Sequence, residues 1–205
     1  MMKFIKWKSL VITCLVCLLP ILLGVALWDK LPDAVAIHFN MNNEPDNFAS
    51  KAFVVFGLPV MMALLQMICC FINDFNAHKH GTRVKFERAT KWILPILAIL
   101  LQIITFGYAL GENIDIRKVV AVIVGLIFLV IGNYLPKFDY IKNYDVDTEK
   151  ARKINRFIGI ETVIMGGLSI ITIFLPPIAT AAWIALLIPY ALLSIIYGVK
   201  TTRSK

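Results

Sequence analysis

The chain has 205 residues, 59% of them hydrophobic and 17% charged, against roughly 45–50% and about 25% in an ordinary globular domain. Mean hydropathy is +0.78, which excludes a conventional soluble fold. The net charge of +8 then calls for a membrane explanation, and no nucleic-acid partner is expected.

Six apolar runs can be cut from the sequence, at residues 9–28, 52–72, 92–110, 115–133, 157–175 and 181–199. Each approaches the ~20 residues with which a helix crosses ~30 Å of hydrocarbon. The runs are apolar on every side, whereas barrel strands would alternate over about 10 residues. The predicted fold is all-α: a polytopic integral membrane protein, a bundle of six transmembrane helices with a small extracytoplasmic cap between helices 1 and 2. Residues 1–72 then form the first two helices with the cap at 29–51, residues 73–118 a basic inner loop, the third helix and a short outer loop, and residues 119–205 helices four to six.

Before the first run stand Lys3, Lys6 and Lys8. The run exceeds the 7–15 residue apolar core of a signal peptide, so an uncleaved first helix is expected. Cys14 and Cys17 lie in this run and Cys69 and Cys70 near the end of the second. No disulfide framework would sit there, and the four read as small buried hydrophobes.

The segment between the first two runs, DKLPDAVAIHFNMNNEPDNFASK at 29–51, is too long for a hairpin turn and dense in hydrogen-bonding groups. His38, Asn40, Glu44 and Asp46 could gather around a cation or a peptide. A small folded cap is the stronger reading, with Pro32 and Pro45 fixing turns, Asn42 and Asn43 taking left-handed backbone angles, and Phe39 and Phe48 tucked against the bundle.

Pro20, Pro59, Pro95 and Pro189 fall inside runs, where each removes a backbone hydrogen bond and favours a kink. Leu58-Pro59 followed by Leu64-Leu65-Gln66 recurs as Leu94-Pro95 followed by Leu100-Leu101-Gln102. Gln66 and Gln102 are placed to link helices by hydrogen bonds. His78 and His80 flank Lys79 in a basic loop and read as membrane-facing surface. Asp145 and Asp147 could hold a divalent ion through hard oxygen ligands, but in a loop rich in Lys and Arg they read as surface. Glu161 is taken as the one acid within a span, one turn beyond Arg156, with either a functional or an anchoring role. Gly166-Gly167 would let another helix approach closely.

Lys and Arg number three before the first run, five between the second and third, six between the fourth and fifth, and three in the tail, seventeen of the 21. Lys30, Lys51, Arg117 and Lys118 remain on the other side. The positive-inside rule therefore puts both termini in the cytoplasm of a multi-pass plasma-membrane protein. Its first partner is the lipid bilayer, whose anionic inner leaflet attracts the basic side.

Leu31-Pro32, Ile37-His38-Phe39-Asn40, Glu44-Pro45-Asp46, Ser50-Lys51 and Leu58-Pro59 together resemble the small extracytoplasmic domain of unknown function at the front of the Sdp-type immunity proteins. Asn43 stands where that family usually has Gly, and Asn is the commonest non-glycine residue at positive φ. Gly132-Asn133-Tyr134-Leu135-Pro136-Lys137 is similar to the phrase that closes a span in the immunity region, and EKARKINRFIG at 149–159 to the basic stretch entering the next. The family's Arg-Thr-Pro-Trp loop has no counterpart, and Ala151 and Asn155 replace Trp and His.

The resemblance implies a membrane protein that protects a cell against a secreted toxic peptide outside, in some members also sequestering a regulator protein inside. Residue by residue it carries over to His38, Asn40, Glu44, Asp46 and Lys51 on the outer cap, and to Gly132, Asn133, Pro136, Lys137, Arg152 and Arg156 on the inner side. The cap's own acids outnumber its lysines, which favours a cationic partner within about a Debye length, ~8 Å. The stretch KARKINR could form a short basic amphipathic helix on the membrane. No zinc-protease helix motif, nucleophile elbow or phosphate-binding glycine loop occurs, so no enzyme, cofactor or metal is expected. A transporter or transporter accessory subunit, with Glu161 on the path, is the alternative.

Overall fold

The structure, a computed structural model, describes residues 5–80, 84–137 and 148–203. In order it contains α1 (Trp7–Leu18), α2 (Pro20–Ala26), β1 (Ala34–Phe39), β2 (Pro45–Ser50), a π-turn (Phe53–Gly57), α3 (Leu58–His80), α4 (Val84–Ala109), α5 (Ile116–Tyr134), α6 (Thr148–Ile171) and α7 (Pro177–Arg203). Six stretches among these residues are long and apolar enough to cross a membrane: Trp7–Ala26, Phe53–Lys79, Glu87–Ala109, Ile116–Lys137, Glu149–Phe174 and Pro177–Arg203. The protein is a multi-pass, all-α membrane protein carrying one small two-stranded sheet. Its chain divides into two compact units, Met1–Ile116 and Arg117–Lys205.

In the first unit, α1, α3 and α4 pack together. The prolines that would otherwise break α3 and α4 are accommodated reciprocally. Pro95 has no N–H to give the carbonyl of Lys91, four residues back, and Gln66 of α3 donates Nε2 to that oxygen at 2.8 Å. Within the π-turn the amide of Leu58 reaches the carbonyl of Phe53, so Val54 would next be served by Pro59, which has no donor. Gln102 of α4 supplies it, Nε2 to the Val54 oxygen at 2.9 Å. Both prolines and both glutamines are buried, so neither freed carbonyl is left in hydrocarbon. The recurrent Leu-Pro and Gln seven residues apart is thus a two-way clasp between antiparallel helices.

The small cap expected at 29–51 is built on a β-hairpin, β1 paired with β2. Antiparallel pairs run from Ala34 opposite Ser50 to Phe39 opposite Pro45, with irregular register near His38. The turn needs positive φ at a single residue, Asn43 at 66°, and Asn42 does not share it. Leu31, Val35, Val54, Val55 and Phe106 make the core beneath the sheet, with Trp28, Leu27 and Ala109 against it. Phe39 meets the edge of Tyr108 at 4.6 Å. Phe48 does not tuck in; it is 53% exposed, because its face of β2 points away from that core.

In the second unit α5 and α6 approach through glycine pairs. A Cβ on Gly125 would lie 2.8 Å from the carbonyl of Gly166, and one on Gly132 would lie 2.7 Å from that of Gly159. Such close approach is how apolar helices gain packing energy in lipid. Ser169 adds a hydrogen bond to the carbonyl of Ala121 at 2.8 Å. Between α6 and α7, Trp183 donates to the carbonyl of Met165 at 2.9 Å, and Thr162 pairs with Tyr190 at 2.8 Å. The stretch KARKINR is not a separate surface helix but the opening of α6, with Ala151, Ile154 and Asn155 buried. Asp145 and Asp147, read from sequence as surface, lie outside the described residues.

Candidate functional site

The outer-cap residues singled out from sequence sit on the hairpin and pair with one another across it. His38 Nδ1 lies 2.5 Å from Asp46 Oδ1. Asn40 Nδ2 donates to Glu44 Oε2 at 2.9 Å, while Asn40 Oδ1 accepts from the amides of Asn42 and Glu44. Each pair closes a turn that strand propensity alone, in a segment such as Pro-Asp-Asn-Phe-Ala-Ser, would support poorly. Lys51 is different: it reaches down, to Asp33 at 3.2 Å and the carbonyl of Leu31 at 3.3 Å, with its ammonium 5.0 Å from the Trp28 ring centre. It secures the base of the hairpin, while His38, Asn40, Glu44 and Asp46 remain at the tip.

Asn43, read from sequence only as a glycine substitute, has a second task. Its Nδ2 donates to the carbonyl of Ile114 at 3.2 Å and its Oδ1 accepts from the amide of Ile116 at 2.8 Å. The turn is thereby fastened to the segment that follows α4. The exposed face of the hairpin combines Ile37, Met41 and Phe48 with the His38–Asp46 and Asn40–Glu44 pairs, an apolar surface edged by carboxylates. Such a surface can receive a peptide that is itself amphipathic. Among the described residues no group of three or more His, Cys, Asp or Glu could hold a metal ion.

At the opposite end of the first unit lies a buried ionic network. Lys91 Nζ bonds Asp74 Oδ1 at 2.5 Å and Glu87 Oε1 at 2.9 Å. Lys6 Nζ meets the other Glu87 oxygen at 2.5 Å, and the amide of Lys6 donates to Asp74 Oδ2 at 3.0 Å. The side chains of Lys91 and Asp74 are 2% and 0% exposed. The sequence reading missed this, counting Lys6 and Lys91 only as loop cations. Glu161 is accordingly not the one acid within a span, because α3 and α4 run on past the apolar runs and carry Asp74 and Glu87 inside. The available signal was Glu87 and Lys91 four residues apart in the favourable order, which becomes a site only when Asp74 and Lys6 arrive from other helices.

In the second unit Glu161, half-buried, accepts from Ser194 of α7 at 2.9 Å. Of the inner-side residues, Gly132 packs on Gly159, as does Pro136. Asn133 accepts from Lys137 at 3.2 Å. Lys137, Arg152 and Arg156 are exposed.

Residues 15–63 match the family described as "Domain of unknown function (DUF1648)", a span that covers the hairpin and the helical ends flanking it. Over 125 residues, 61% of this chain, the sequence is 26% identical to a protein called "Immunity protein SdpI" from Bacillus subtilis (strain 168). The match spans 58% of the length of that relative. No solved structure matches. The expected resemblance to the Sdp-type immunity proteins and their front domain is borne out.

Proposed function

We propose that this chain is a non-enzymatic protein of the cell membrane that confers immunity to, or senses, a secreted antimicrobial peptide, and that the hairpin is where the peptide is met. The observation that carries the reading is that the DUF1648 match falls on the hairpin and its supporting helices, in a chain similar to a protein named for immunity. With both termini in the cytoplasm, as the lysine and arginine distribution favours, the hairpin faces outward. The outer side then presents Asp29, Asp33, Glu44, Asp46, Glu112 and Asp115 against Lys30, Lys51, Arg117 and Lys118, a small negative excess that attracts a cationic peptide.

On the inner side Lys137, Arg152 and Arg156 offer exposed cations at which a regulator protein could be held once the peptide is sensed. The test is a killing curve. A sensitive host expressing the chain is challenged with peptides secreted by the source bacterium. Protection appears as a shift to higher peptide concentration, reduced by Asp46→Asn together with Phe48→Ser. An unshifted curve across those peptides, with the chain abundant in the membrane, overturns the proposal.

A further inference from the structure

The second unit carries an open groove between α6 and α7 that neither helix fills. Ile154, Ile158, Ile195, Gly198, Val199 and Thr202 line a hollow of about 380 Å³. An adjoining hollow of about 560 Å³ shares Ile195 and Val199 with it and ends at Lys200 and Arg203. The first hollow is apolar apart from Thr202 and Ser194, the latter bonded to Glu161, and the second, formed by α7 alone, adds two cations. α6 begins at the same end, so the first residues of α6 and the last of α7 bring together Lys150, Arg152, Lys153, Arg156, Lys200 and Arg203 against one acid, Glu149.

Gly198 makes this more than a gap in packing. Elsewhere in the unit the interior glycines Gly125, Gly132, Gly159 and Gly166 are required because a neighbouring helix backbone occupies the space of a Cβ. At Gly198, as at Gly167, a Cβ would meet nothing within 4 Å, although glycine is a poor helix former; of the two, Gly198 lies in the groove lining. The missing side chain leaves the groove floor low, which suits a ligand that comes close to the backbone. Beside it Tyr197 stacks on Phe157 at 4.0 Å, and aromatic side chains of this kind concentrate at the depth of lipid headgroups.

We infer that this groove is a binding site for one anionic glycerophospholipid, with an acyl chain along Ile154, Ile158 and Gly198 and the phosphate between Lys200 and Arg203. Charge complementarity selects this occupant: a zwitterionic lipid brings an ammonium to the same cations, whereas an anionic headgroup brings net negative charge to a basic pocket between transmembrane helices. Packing of the acyl chain in the groove holds the lipid, since no surface leaves water, and the cations supply the choice of headgroup.

The full chain, purified and stripped stepwise with detergent, would be examined by native mass spectrometry after exposure to equimolar phosphatidylglycerol and phosphatidylcholine. One phosphatidylglycerol should persist after phosphatidylcholine is lost. Gly198→Leu, whose Cβ would meet nothing within 4 Å, and the pair Lys200→Gln with Arg203→Gln should each reduce that retention several-fold, with the lipid-free thermal midpoint unchanged. Equal retention of the two lipids by the parent chain overturns the inference, as does undiminished phosphatidylglycerol retention in the charge variant, which decides the matter should Gly198→Leu fail to fold.

Discussion

Lys91 is the residue on which the inner end of the first unit depends. Removing the Lys91 ammonium leaves the buried Asp74 carboxylate with no cation and Glu87 with Lys6 alone, and breaking a buried pair in this way costs about 3–5 kcal/mol. Lys91→Met should therefore lower the thermal midpoint steeply, while Lys6→Gln, whose side chain is half exposed, should cost far less. A detergent-solubilised melt in which the two variants behave alike would contradict the network's hierarchy. Asn43 makes a second residue-scale case. Asn43→Gly keeps the backbone angle of 66° yet forfeits both hydrogen bonds to the 114–116 segment. It should destabilise by about 1–3 kcal/mol, although glycine is the better residue for the turn by conformation alone.

Between elements, the clasp of α3 and α4 makes a sharper prediction through a double-mutant cycle. Gln66→Leu strands the carbonyl of Lys91, and hydrogen bonds of this kind are worth about 0.6 kcal/mol on average in membranes. Pro95→Ala restores the N–H that the carbonyl lacks, so Gln66→Leu should cost measurably less in that background. Equal costs in both backgrounds would rule out the exchange. The prolines, the glutamines and their repeated spacing were all legible in the sequence, but their pairing was not, because which carbonyl a glutamine meets depends on how two helices are set side by side. The spans were legible because apolar runs are local. The hairpin was not, since Ala34–Phe39 and Pro45–Ser50 have weak alternation, and their pairing rests on the core beneath and on the cross-strand contacts of His38 with Asp46 and Asn40 with Glu44. The ionic network escaped notice for the opposite reason: positive-inside counting treats every lysine alike, and nothing local distinguishes the buried Lys91 from a solvated one.

For the whole molecule, orientation and function are separable tests. Cysteine introduced at Met41, in a background whose own four cysteines are replaced, should react with an impermeant reagent from outside intact cells, and one introduced at Thr201 should react only after lysis. The reverse pattern would place the hairpin inside and remove the peptide-binding proposal with it. Glu161→Gln distinguishes immunity from transport. The variant amide oxygen can still accept from Ser194, so protection should persist, whereas a transport path that needs an ionised group there would lose its activity. The reciprocal clasp also bears on how the first unit could rearrange. Separating α3 from α4 would strand two acceptors in hydrocarbon at once, so the clasp ties the two helices to shift together and not singly.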